Sequence, residues 1–126
     1  MYNLFLDDIR DPKTSMFLNN KNIYPALDWV IVRSYDEFVS YINNNGMPKL
    51  ISFDHDLADE HYGMNDNTIE YQYYTEKTGY ECAKWLINYC MDNNLYPPDY
   101  YVHSMNTVGA LNIRYLIENY KKHLAK

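Results

Sequence analysis

Four short apolar runs punctuate the chain, and three of them stop at acids or histidines. Leu4-Phe5-Leu6 runs into Asp7-Asp8, Leu50-Ile51-Ser52-Phe53 into Asp54-His55-Asp56, and Tyr100-Tyr101-Val102 into His103-Ser104; the fourth is Trp29-Val30-Ile31-Val32. Runs this short, β-branched or aromatic and bounded by turn residues, predict strands of a sheet buried on both faces. Helical spacing fills the intervals. Tyr35, Phe38, Val39 and Ile42 fall at i, i+3, i+4 and i+7, predicting an amphipathic helix that stops at Asn45-Gly46. Ser34 and Glu37 form a capping box at its start, each side chain expected to satisfy the other's backbone donor. Thr78 and Glu81 repeat the box ahead of a second helix with Ala83, Leu86, Ile87, Cys90 and Met91 on one face. A last helix carries Ala110, Ile113, Ile117, Tyr120 and Leu124, and its closing Lys121, Lys122, His123 and Lys126 suit the negative end of the helix dipole.

Two stretches lack any period. Residues 9–28, with Pro12 and Pro25, read as loop. Residues 58–77 form a polar segment with several tyrosines, and loops of that length within a compact domain are usually functional covers or disordered. The alternation of strands and helices argues for a parallel sheet in a single domain spanning 1–126. Right-handed crossovers leave the strand order 2-1-3-4 as the natural solution.

In that topology the C-terminal ends of all strands share one edge of the sheet. The crevice between strands 1 and 3 is then the switch point at which such folds bind ligands. Asp7, Asp8 and Asp54 make an oxygen cage suited to Mg²⁺ or Mn²⁺; the competing reading has Asp8 capping a turn and Asp56 solvated. His55 and His103 can act as general base and general acid in phosphoester cleavage, or each can be a core histidine bonded to the backbone. Arg10 suits bidentate phosphate binding, or a salt bridge to Asp8 or Asp11. Ser104 and Asn106 lie where a helix N-terminus favours an anion, and Thr78 stands in the same position one helix earlier; all three can equally be simple caps.

Composition narrows the field. The chain has 126 residues, 47% of them hydrophobic and 22% charged, with a formal net charge of −6. That balance excludes wholesale disorder and a broad electrostatic grip on duplex DNA or an anionic membrane, but not a pocket for one phosphate. No apolar run is long enough to span a bilayer and the N-terminus lacks a basic region followed by an apolar stretch, so a cytoplasmic protein is expected. Cys82 and Cys90 sit roughly 12 Å apart on a regular helix, too far for a disulfide. The 15 tyrosines and abundant asparagine are a bias that an AT-rich genome, phage or low-GC bacterium, would produce as easily as function would.

The acid pair Asp7-Asp8, with Asp54 and Ser104 at later strand ends, resembles the phosphorylation site of response-regulator receiver domains. The chain departs from them in having no evident fifth strand, no lysine after it, and an eroded first helix. A closer resemblance is to the divergent receiver-like family named for cyclic-phosphate processing. It rests on Leu6-Asp7-Asp8-Ile9-Arg10-Asp11-Pro12, Ser52-Phe53-Asp54-His55-Asp56-Leu57, Thr78-Gly79-Tyr80, Ala83-Lys84-Trp85-Leu86 and His103-Ser104-Met105-Asn106 with Gly109. Thr107 stands where that pattern leads one to expect proline. The resemblance implies a three-layer flavodoxin/receiver-like fold and a domain acting on cyclic phosphates of RNA ends or nucleotides.

The expected function is therefore a metal-dependent phosphoesterase that opens a cyclic phosphodiester, with an RNA 2′,3′-cyclic phosphate end or a cyclic nucleotide as partner. Asp7, Asp8 and Asp54 would hold the ion, His55, His103 and Asp54 would do the chemistry, and Arg10, Ser104, Asn106 and Thr78 would bind substrate. One alternative is a binder that sequesters a cyclic nucleotide signal without turnover, as a phage counter-defence protein would. Another is a degenerate receiver serving as an interaction module.

Overall fold

The computed structural model describes residues 1–13, 24, 27–57, 78–104 and 106–125. The expected cover at 58–77 and most of the loop at 9–28 lie outside the described residues. Four strands, β1 (Asn3–Leu6), β2 (Trp29–Val32), β3 (Leu50–Phe53) and β4 (Asp99–Val102), form one parallel sheet in the order β2-β1-β3-β4. Three helices alternate with them: α1 (Tyr35–Asn45), α2 (Gly79–Asn93) and α3 (Thr107–Leu124). This is the expected receiver-like α/β fold with the expected strand order. Among the described residues no helix is long and apolar enough to cross a membrane.

Strand parity assigns the two faces. Leu4, Leu6, Val32, Ile51 and Phe53 point to the side where α1, α2 and α3 pack, and join Phe38, Ile42, Leu86, Cys90, Ile113 and Ile117 in one buried cluster. Each such side chain, taken fully out of water, contributes about 1.5–3 kcal/mol, which is why the helices need no further glue to hold their places. The other face carries Phe5 and Tyr24, with Trp29 and Ile31 packed against them. The described helices all pack on the first face, so among the described residues the other face is covered by Tyr24, Trp29 and Ile31 around Phe5.

Local signals set the helix limits. Ser34 accepts from the Glu37 N–H and Gly46, at φ +85°, ends α1 where a Cβ would be strained. The capping box is only half formed: Glu37 Oε1 accepts from the Arg33 N–H at 2.7 Å, one residue upstream of the cap. Thr78 caps α2 through the Glu81 N–H, and Asn94 closes it in the left-handed conformation, a role that asparagine tolerates. Met91 and Leu124, expected on buried faces, are 50% and 41% exposed: Met91 follows buried Cys90 one step round the helix, and Leu124 is the last residue of α3. Cys82 and Cys90 are both buried and neither forms a disulfide.

Candidate functional site

The site follows from strand register. Leu6 pairs with Val32 on one side and Phe53 on the other, and Phe53 pairs with Val102. The residue after each strand is therefore level with its neighbours: Asp7, Arg33, Asp54 and His103 share one row. The ladder continues into that row, since the N–H groups of Asp7, Asp54 and His103 donate to the carbonyls of Val32, Leu6 and Phe53 at 3.2, 3.0 and 2.9 Å. Parity turns Asp7, Asp54 and His103 toward the face away from the helices. One ligand atom from each lies within 4.8 Å of the others. Three stretches far apart in sequence thus deliver two carboxylates and an imidazole to one point at the rim.

Asp7 is completely buried and fully engaged. Its Oδ1 accepts from the N–H groups of Ile9 and Arg10 at 3.0 and 2.9 Å, and its Oδ2 from Arg10 Nη1 and His103 Nε2 at 3.2 and 3.0 Å. Burial alone would raise its pKa, but those donors outweigh the penalty and hold it at about 2. Asp54, 5% exposed, goes the other way. Burial first, then the charge of Asp7 and more weakly that of Asp8, push it up to about 7 against the pull of Arg10 and a hydrogen bond from Ser104. The imidazole of His103 is 1% exposed, stacked 4.5 Å from the Phe5 ring at an interplanar angle of 6°. Burial lowers its pKa against the opposing pull of Asp7.

Asp8 is buried beside this group. Three buried carboxyls gather here beside the guanidiniums of Arg10 and Arg33, a crowding of negative charge that a proton or a cation relieves. Asp7, Asp54 and His103 fit a divalent ion on donor chemistry; two oxygens and a nitrogen suit Mn²⁺ and its transition-metal neighbours, whereas Mg²⁺ favours the all-oxygen set that Asp8 would complete.

The remaining expected residues divide. Arg10 enters the site, but its ion pair is with Asp7 rather than with Asp8 or Asp11. Ser104 adjoins Asp54 closely enough to lower that carboxyl's pKa, and its Oγ accepts from the Asn106 N–H at 3.1 Å. Asn106 is the N-cap of α3, its Oδ1 accepting from the Gly109 N–H at 2.9 Å; Thr78 is the N-cap of α2. His55 and His103, expected to work as a pair, serve separate networks. The Nδ1 of His55 lies 2.8 Å from Asp56 Oδ1 and 3.4 Å from Asn106 Nδ2, and its ring lies against Gly109, where any Cβ would collide with it. Gly79 clamps the same loop from the other helix: its N–H donates to the His55 carbonyl at 2.7 Å, and a Cβ there would strike the Asp54 carbonyl.

Three contributors escaped the sequence reading. Arg33 donates through Nη1 to the carbonyls of Asp7 and Arg10 at 3.2 and 2.7 Å, bracing the turn that carries both. Ser52 and Tyr24 lie behind His103: Ser52 Oγ is 2.7 Å from Nδ1, and the Tyr24 hydroxyl is 2.9 Å from Ser52 Oγ. A signal existed for Ser52. It is the lone polar residue in β3 and has the parity of Asp54.

The arrangement matches a known profile. The family described as cyclic-phosphate processing receiver domain covers residues 2–119. The chain belongs to that family. The family match runs through all four strands and into α3 as far as residue 119, so the strand-end acids and His103 all lie within it. No significant match was found among curated proteins or among solved structures.

Proposed function

We propose that this cyclic-phosphate processing receiver domain opens a cyclic phosphodiester on an RNA end or a nucleotide. The observation that carries the reading is the single register row in which Asp7, Asp54 and His103 meet, with Arg10 and Ser104 adjoining. Arg10 and the Ser104–Asn106 entry to α3 supply the donors that orient a phosphate. Asp54, with a pKa of about 7, has the basicity that general acid–base work at neutral pH requires. In its ionised form it takes a proton from water as the water oxygen bonds to phosphorus. The ring P–O bond breaks, and the departing oxygen receives a proton from the imidazole of His55, the more exposed of the two site histidines. His103 holds Asp7 in place. Mg²⁺ or Mn²⁺ held by Asp7 and Asp54, with Asp8 or His103 as third donor, would polarise the phosphoryl oxygens.

Binding without turnover is favoured by one observation: His55, the proton donor of the turnover reading, is engaged with Asp56 and Asn106 in a network separate from the Asp7–His103 pair. Incubation with 2′,3′-cyclic nucleotides in Mg²⁺ or Mn²⁺, removal of protein by heat, and chromatography separate the two. Ring-opened monoester in excess over protein is the expected result. Intact ligand recovered in proportion to protein would make the domain a sequestering binder.

A further inference from the structure

The register row begins one strand before the residues that the proposed chemistry uses. Val32 pairs with Leu6, so Arg33 stands level with Asp7 and turns to the same face of the sheet. From β2 to β4 the row reads Arg33, Asp7, Asp54, His103. The other guanidinium nearby, that of Arg10, already shares its charge with Asp7 across 3.2 Å. Arg33 makes no ion pair among the described residues. Its Nη1 donates to the carbonyls of Asp7 and Arg10 at 3.2 and 2.7 Å, while its Nε and Nη2 donate to no described residue. That remaining edge is a planar fork of the kind that grips two oxygens of one phosphate. The residue is partly buried, so the guanidinium is held against the turn and still reachable from solvent. A cation immobilised on neutral carbonyls keeps its full charge for an anion from outside.

We infer that Arg33 binds a second phosphate, which makes the ligand a cyclic phosphate carrying another phosphate group one nucleotide away. The chemical class is then a 5′-phosphorylated nucleotide or an RNA end rather than a bare nucleoside cyclic phosphate. Spacing separates the two phosphates. β1 lies between β2 and β3, so the strands that carry Arg33 and Asp54 are about 10 Å apart. Consecutive phosphates of one strand lie closer than that, and the stem of the arginine makes up the difference. With the ring phosphate at Asp54 and Ser104, toward β4, the 5′ side of the nucleotide runs back along the rim to β2. It passes over Asp7, which is completely buried and satisfied by its own donors, so its charge presents little obstacle.

This deepens the proposed function and rests on that reading for where the ring sits. It adds a substrate class and a residue that selects it.

The test compares three ligands in Mg²⁺: adenosine 2′,3′-cyclic phosphate with a free 5′-hydroxyl, the same nucleotide with a 5′-phosphate, and a trinucleotide ending in the same ring. Half-saturation is read as KM where the ring opens and as Kd where it stays intact. In the wild type the 5′-phosphate should tighten half-saturation about tenfold or more, the worth of one charge-assisted contact. Arg33→Gln should abolish that gain, and Arg33→Lys, which keeps the charge without the fork, should retain part of it. The ratio between ligands is the decisive readout. Loss of the brace on Asp7 and Arg10 alone would weaken all three ligands alike and leave the ratio at its wild-type value, and that result overturns the assignment. A wild-type ratio near one with both nucleotides bound also overturns it, while leaving the cyclic-phosphate reading in place; binding of none of the three removes both. A gain shared by the trinucleotide supports an RNA end, and a gain confined to the 5′-phosphorylated nucleotide supports a free nucleotide, each through Arg33. Should Arg33→Gln fail to fold, the wild-type ratio and Arg33→Lys decide the matter.

Discussion

Replacing Asp54 by asparagine should stabilise the metal-free protein at alkaline pH, although it removes a residue at the centre of the site. Asp54 is 5% exposed, beside ionised Asp7 and buried Asp8, and its pKa rises from 3.8 to about 7. A group whose folded pKa is raised keeps its proton longer in the folded state than in the unfolded one. Folded stability therefore falls as pH rises from 3.8, and the full loss is reached above 7. At 1.36 kcal/mol for each pH unit the ceiling is about 4 kcal/mol, with solvent screening reducing what is measured. Asparagine is nearly isosteric, still accepts the Ser104 hydroxyl and never ionises. Urea denaturation in EDTA should show little pH dependence in the mutant-minus-wild-type difference below pH 4. That difference should grow through pH 5 to 7 and level off by pH 8 at a few kcal/mol, about 4 °C in Tm for each kcal/mol in a domain of this size. Saturating Mn²⁺ should narrow or reverse the gap at pH 8 by stabilising the wild type. A difference that stays flat from pH 4 to 8 would refute the electrostatic account of the row.

Asp7→Asn should act in the opposite sense, because donors hold Asp7 at about 2: its stabilisation is present above pH 3.8 and lost as pH falls through 2. The mutant should be roughly 2 kcal/mol less stable at pH 7, and urea titration showing no loss would remove those donors from the argument. Gly109→Ala should displace the His55 ring and cost roughly 1–3 kcal/mol by overpacking; thermal melting together with the His55 ring resonances checks both. Arg33→Ala removes the Nη1 donor that braces the carbonyls of Asp7 and Arg10, costing about 1–3 kcal/mol, and hydrogen exchange should accelerate at Ile9 and Arg10 while α2 stays protected. Ile113→Ala, at a completely buried position of α3, should cost about 2–5 kcal/mol in denaturant titration without shifting the pH dependence of the Asp54 row.

Much of this was legible because strands and acids coincide. Each of Leu6, Phe53 and Val102 is followed at once by a titratable residue, and parallel pairing puts successors of level residues in one row. Strand order then brings Asp7 between Arg33 and Asp54. The sequence could not show which side chains would bind one another across that row. Arg10 looked able to pair with Asp8 or Asp11, yet the turn after β1 folds its guanidinium back onto Asp7. The two histidines look equivalent by position, but parity sends His103 to the face of Phe5, while His55, one residue further past its strand, falls between the helix starts at Gly79 and Gly109. Asn106 and Thr78 proved to be caps because the first N–H groups of α3 and α2 need acceptors close at hand. Arg33 was hidden because its partners are backbone carbonyls, which leave no complementary side chain in the sequence to signal them.

The direct test of the row as a cyclic-phosphate site is amide chemical-shift mapping with a 2′,3′-cyclic mononucleotide, with Mn²⁺ replaced by diamagnetic Mg²⁺. The perturbed amides should cluster at residues 7–10, 54–56 and 103–106, which are remote in sequence and adjacent at the strand C-termini. Perturbation confined instead to the groove at the opposite edge, lined by Asn3, Lys49, Asp99 and Tyr101, or no perturbation at all, would contradict the account.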